Sequence, residues 1–149
     1  MKTTRVLAIS SAGGHWEQLM LVRAGLDECE VVYAVTNLAV AERSGVAALA
    51  IPDFNAKAPV KTALGSLKIA ALVLRVRPDV VISTGAAPGL VAAVVGKLIG
   101  AQAIWIDSIA NAHRLSLSGR LARRVADLWL TQWPHLATDK GPHYGGAVL

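Results

Sequence analysis

The chain is 149 residues long, 54% hydrophobic, with a formal net charge of +5 and a mean hydropathy of +0.47. That length suits one domain with a substantial core, and the single cysteine, Cys29, excludes an intrachain disulfide and fits a reducing compartment. With two Tyr and one Phe, the interleaved aromatics of a nucleic-acid-binding module are missing, so no nucleic-acid partner is expected.

Met1 to Arg5 is a short basic lead, and the apolar run after it ends at once in Ser10-Ser11-Ala12-Gly13-Gly14, so no signal peptide is expected. The run predicts a strand over Val6–Ser10, followed by a helix over His15–Ala24. Between them Ser11, Gly13 and Gly14 make a tight turn. Its free N–H groups and the positive end of the helix dipole suit a phosphate or pyrophosphate. His15, on the first helical turn, can donate to that phosphate or act as a general base. The competing reading is a plain strand-to-helix turn capped by His15. A nicotinamide dinucleotide fits poorly. The G-x-G-x-x-G spacing is absent, and the second strand, Val31–Thr36, ends in Thr36-Asn37 instead of an acidic ribose binder. No Gly-Lys-Ser/Thr is present, which excludes a P-loop.

A helix over Val40–Ser44 and a strand over Ala47–Ile51 lead to a long helix, Pro59–Val76. This helix lies in a basic block: residues 54–126 hold ten basic groups against Asp79 and Asp107, a net +8, while residues 1–53 carry −2. Such a block points to an anionic partner or to a solvated basic face. Lys61, Lys68 and Arg75 recur every seven residues as one stripe. Val60, Leu64, Leu67, Ala71 and Leu74 are expected to face the core, with Ile69, Leu72, Val73 and Val76 as apolar surplus. That combination suits the surface of an anionic bilayer, or else a covered sheet helix with a lysine edge.

The longest uncharged stretch, Val80–Gly96, is cut by Gly85, Pro88 and Gly89, so it predicts a strand (Val80–Ser83), a turn and a helix (Gly89–Ile99). Thr84 and Gly85 make a second turn open to an anion. A strand over Ala103–Ile106 then delivers Asp107 and Ser108 to its carboxyl end. Asp107 either binds a sugar hydroxyl or takes a proton, or it caps the following turn. A helix over Ser118–Val125 and a strand over Leu128–Thr131 complete the pattern. Six strands separated by helices predict a single doubly wound, Rossmann-like parallel sheet, with ligands outside the carboxyl ends of its strands. Residues 1–134 read as that domain. Residues 135–149 read as a tail without helical period, hard to bury within the domain. His15, His113, His135 and His143 show no metal-ligand spacing, so no metal is expected.

Taken together, Ser11-Ala12-Gly13-Gly14-His15, Pro78-Asp79-Val80-Val81-Ile82-Ser83-Thr84-Gly85, Asp107-Ser108 with Leu115-Ser116-Leu117-Ser118-Gly119-Arg120, Ala126-Asp127, and Thr131-Gln132-Trp133-Pro134 resemble a known family. It comprises the accessory subunit of the two-chain UDP-GlcNAc transferase of asparagine-linked glycosylation and bacterial counterparts in exopolysaccharide and capsule synthesis. More distantly, the Gly-Gly-His loop and the Pro-Asp-Val-Val segment resemble the N-terminal domain of MurG. The resemblance implies a GT-B glycosyltransferase split at its domain boundary. This chain would supply the acceptor side, and a catalytic partner chain would bind the UDP-sugar donor, so no cofactor is expected here. The implied acceptor is a polyprenyl-diphosphate-linked sugar. Gly13, Gly14 and His15 match the loop that faces its diphosphate. Asp107 and Ser108 stand where many relatives have Glu-Ser, and Asn111 where many have Arg. Trp133, Pro134, Tyr144 and Leu149 fall in the segment that docks the partner. The eukaryotic relatives begin with a membrane-spanning helix, so attachment here is expected to be peripheral, at the inner face of the cytoplasmic membrane. The alternative function is a stand-alone Rossmann-type nucleotide- or phosphate-binding enzyme.

Overall fold

Continuous runs of Val, Ile, Leu and Ala make good strands only when both faces are covered, and that is how the chain folds. The computed structural model describes residues 2–148. Its strands are β1 (Arg5–Ser10), β2 (Glu30–Val35), β3 (Ala48–Ala50), β4 (Val80–Ser83), β5 (Gln102–Ile106), β6 (Leu128–Thr131) and β7 (His143–Tyr144). The helices are α1 (Gly14–Leu21), α2 (Leu38–Arg43), α3 (Pro59–Val76), α4 (Ala87–Leu98) and α5 (Leu117–Ala122). All seven strands pair in parallel in the order β3-β2-β1-β4-β5-β6-β7. The order reverses between β1 and β4, which opens a crevice at their carboxyl ends.

Alternation along β1 splits the core in two. Leu7 and Ile9 pack with Ile69, Leu72 and Val73 of α3 and Ala92 of α4. Val6 and Ala8 pack with Trp16 and Leu19 of α1 and Ala41 of α2. The six predicted strands are all present. The seventh was not anticipated: two residues carry no apolar run, yet His143 and Tyr144 pair with Leu130 and Thr131. The stretch after Pro134 thus adds an edge strand to the same sheet.

The long helix turns the other way from expectation. Val60, Leu64, Leu67 and Leu74, assigned to the core, are between 52% and 72% exposed, and Ala71 is exposed with them. The buried side carries Gly65, Ile69, Leu72, Val73 and Val76. The helix has two apolar stripes, and the packing partner chooses between them. The Phe54 ring lies where a Cβ on Gly65 would stand, 2.3 Å from its nearest atom, so only the glycine side fits against it. Lys61, Lys68 and Arg75 therefore border an outward apolar stripe, each about 100° round the helix from one of its members.

At the amino ends of the strands, opposite the crevice, two aspartates each hold a neighbouring strand. Asp79, just before β4, accepts the Arg5 amide of β1 at 2.8 Å and the Lys2 ammonium at 2.8 Å. Asp127, just before β6, accepts the Ala103 amide of β5 at 2.7 Å and the Lys97 ammonium at 2.7 Å. In each case the lysine hydrogen bond, then the strand amide, holds the carboxyl below its usual value of 3.8.

Candidate functional site

The crevice is built from the loops after β1, β4 and β5. After β1 the chain turns through Gly13, with φ +79°, into α1, and no side chain caps that helix start. The Ala12 amide is taken by Thr36 Oγ at 2.9 Å, while Gly13 and Gly14 are exposed. The helix-start amides thus face the crevice with the positive end of the dipole behind them.

After β4 the buried Thr84 grips His15 twice. Its hydroxyl donates to the His15 carbonyl, and its own carbonyl meets His15 Nδ1 at 3.0 Å. A carbonyl only accepts, so Nδ1 carries the proton and Nε2 is the nitrogen left for proton transfer. Gly85, with φ +142°, lies against the imidazole: a Cβ there would stand 2.4 Å from the ring. No other residue allows that approach. The next residue, Ala86, holds φ +74° at the start of α4, again with no side-chain cap. With ψ 162° this alanine lies in a region all but reserved for glycine, which costs about 1–3 kcal/mol and needs its surroundings to hold it.

After β5 comes Asp107, 1% exposed. Its Oδ1 accepts Ser116 Oγ at 2.7 Å and the Trp105 indole N–H at 3.2 Å. Its Oδ2 accepts Asn111 Nδ2 at 3.0 Å and the Ser116 amide at 3.1 Å. Gly119 lets the helix α5 close over it, since a Cβ there would stand 2.2 Å from Oδ1. Of the two sequence readings for Asp107, this geometry supports the anchor of the turn: both oxygens are occupied by Trp105 of β5 and by Asn111 and Ser116 of the loop, and the side chain is buried. Asn111 is one of its hydrogen-bond donors.

Two clefts open along this edge. The first, about 600 Å³, lies between the α1 start and the loop 108–118, and is lined by Gly14, His15, Gln18, Ser108, Asn111 and Ser116 among others. The second, about 770 Å³, is lined by Ser11, Lys57, Phe54, Leu90, Leu117 and Leu121 among others. They share Ala86, Leu117 and Ser118 as a common rim. The first holds one charged group, Glu17, and the second holds Asp53 and Lys57.

The structure therefore brings Gly14, His15 and Ser108 to one cleft and Ser11 to its neighbour, with Gly13 between and Thr84 and Gly85 beneath His15. Lys61, Lys68 and Arg75 sit on α3, and none of them lines either cleft. Trp133 Nε1 donates to the Ile109 carbonyl at 2.7 Å, which pins the cleft loop from behind. Pro134 opens a short 3-10 turn, Tyr144 lies half-exposed in β7, and Leu149 falls outside the described residues. His113 and Arg114 are exposed and line neither cleft. Gln18 was missed. Its signal was a polar residue between Trp16 and Leu19, both buried on the core side of α1. Among the described residues, no three His, Cys, Asp or Glu gather as a metal site, and no helix is long and apolar enough to cross a membrane.

The fold is shared with known enzymes. It superposes on MurG of Acinetobacter baumannii with a TM-score of 0.77 at 13% identity, covering 97% of this chain and 45% of that one. It also superposes on the UDP-GlcNAc 2-epimerase of Methanocaldococcus jannaschii, solved with UDP-GlcNAc and UDP, with a TM-score of 0.65 at 14% identity. That match covers 87% of this chain and 40% of the epimerase. In sequence, 71 residues are 35% identical to the mouse UDP-N-acetylglucosamine transferase subunit ALG14, covering 44% of this chain and 33% of the mouse protein. Residues 50–148 match the family described as "Oligosaccharide biosynthesis protein Alg14 like". These residues hold the Thr84-Gly85 turn, the Asp107 loop and the Gln132-Trp133-Pro134 segment, and the chain belongs to that family.

Proposed function

We propose that this chain is the acceptor-binding, partner-recruiting subunit of a two-component, UDP-sugar-dependent glycosyltransferase of polysaccharide biosynthesis. The acceptor is a polyprenyl-diphosphate-linked sugar. The observation that carries this reading is the pair of joined clefts around the uncapped Gly13–Gly14 helix start. An acceptor diphosphate sits at those amides. The sugar enters the first cleft, beside His15 Nε2, which takes the proton of the attacking hydroxyl. The start of the lipid lies in the second cleft, against Phe54, Leu90 and Leu121, with Lys57 beside the phosphates. The donor belongs to the partner chain, since Thr36-Asn37 offers no carboxylate for a ribose. Membership of the Alg14-like family, and the mouse relative's being a transferase subunit, support the need for a partner chain.

The outward face of α3 supports a peripheral seat on the inner face of the cytoplasmic membrane. Val60, Leu64, Leu67 and Leu74 enter the headgroup boundary, and Lys61, Lys68 and Arg75 meet anionic lipid. Trp133, Pro134, Tyr144 and Leu149 belong to the segment that meets the partner.

Calorimetry on the isolated chain separates this reading from a stand-alone Rossmann-type enzyme. A soluble isoprenoid diphosphate should bind, and UDP-GlcNAc and NAD should not. Micromolar binding of either nucleotide without a partner would establish the stand-alone reading instead.

A further inference from the structure

Two buried glutamines join the cleft to the end of the chain. Gln18, on α1, is 6% exposed, and Gln132, after β6, is 3% exposed. Gln18 Nε2 donates to the Gly14 carbonyl at 3.2 Å and to Ser108 Oγ at 3.0 Å. Its Oε1 accepts the Ile109 amide at 3.0 Å and Gln132 Nε2 at 2.6 Å. The second N–H of Gln132 donates to the Asp107 carbonyl at 3.0 Å. Its Oε1 accepts the Val148 amide at 3.0 Å.

A carboxamide has two donors and one accepting oxygen. Every donor of both residues is used, and a flip of Gln132 would set its oxygen against two other oxygens. The orientation of the pair is therefore fixed. All partners but one come from α1 or from the loop 107–109. The exception is Val148, which satisfies the last acceptor. Without it, a buried carbonyl oxygen loses its partner at the one point where the network meets the chain end.

We propose that Gln18 and Gln132 are positioning residues that hold the loop 108–111 in its acceptor-ready form only while the C-terminal segment is seated. A partner chain that docks over this segment thereby tightens the first cleft without touching it. The acceptor part of this inference rests on the function proposed above. The loop part does not.

Val148→Pro tests it, because proline removes the donating N–H without shortening the chain. In the full chain, hydrogen exchange at the Ile109 amide should quicken about tenfold in Val148→Pro, as for one lost hydrogen bond. Gln132→Leu should do the same, and the double variant should add little to either. Exchange at Leu7 in β1 should stay unchanged, which a general loss of stability would not allow. Gln132→Met serves if Gln132→Leu does not fold. In the complex with its partner, Val148→Pro should raise the acceptor KM about tenfold with kcat within twofold. Unchanged Ile109 exchange, or effects that multiply in the double variant, would overturn the inference. Faster exchange with an unchanged KM would overturn its link to the acceptor. A wild-type pair that transfers no sugar would instead strike the proposed function, with the exchange result still deciding the loop.

Discussion

The His15 ring is held on two sides, by the Thr84 carbonyl at Nδ1 and by the Gly85 backbone, while the Thr84 hydroxyl fixes the His15 backbone carbonyl, so the ring has little freedom and Nε2 has one direction to act. His15→Ala should lower kcat of the complex by about a hundredfold or more, the usual weight of a general base, with the melting temperature preserved. An unchanged rate would remove His15 from the chemistry. Asp107 has the opposite profile. In Asp107→Asn either orientation of the amide sets an NH2 against two donors, which should cost about 1–3 kcal/mol in a denaturant titration, while the folded complex retains its acceptor affinity. Equal stability together with lost transfer would return Asp107 to a chemical role. The sequence placed both residues on the right loop because strand ends are legible from apolar runs. It left Asp107 between two readings because its ligands, Trp105, Asn111 and Ser116, say nothing by spacing about which way the carboxylate turns.

Helix α3 is where periodicity misled. Its two apolar stripes are equally good by pattern, and the choice was made by Phe54 fitting against Gly65, a contact between an aromatic outside the helix and a missing Cβ. The outcome strengthens the membrane proposal, since the exposed stripe is the more leucine-rich one. Leu64→Glu with Leu67→Glu should leave melting unchanged and abolish binding to vesicles rich in anionic lipid. Each of Lys61, Lys68 and Arg75 changed to Ala should weaken that binding about fivefold at low salt, the effect of about 1 kcal/mol per charge, and less at high salt. Intact vesicle binding in the double leucine variant would contradict the assignment. The aspartate clamps at the amino ends of β4 and β6 carry a pH signature. Asp79 and Asp127 have folded pKa values below their unfolded value of 3.8. Their contribution is fully present above about pH 4 and is lost as pH falls through the depressed values. Thermal melting followed downward from pH 6 should show a decline that is shallower in Asp79→Asn and Asp127→Asn. The decline should be equally steep in all three proteins if the clamps contribute nothing. Asp79 and Asp127 were legible only as fragments of a family motif; the structure supplies their reason, one carboxylate before each of two strands tying down its neighbour.

At the scale of the whole molecule, the chain presents one edge rich in loops and clefts, one helix face with apolar and basic stripes, and a C-terminal segment tied back to the cleft through Gln132. The sheet was readable because its signals are local: apolar runs, glycine turns and helix-length gaps in order. Strand β7 was not, because a two-residue strand is fixed by its neighbour β6 and not by its own sequence. On the proposed function the molecule offers an acceptor side and another chain supplies the donor. The direct measurement is sugar transfer from UDP-GlcNAc to a polyprenyl-diphosphate-linked acceptor in vesicles, with this chain alone and with its donor-binding partner added. Transfer only when both chains are present is the predicted result; robust transfer by this chain alone would contradict it.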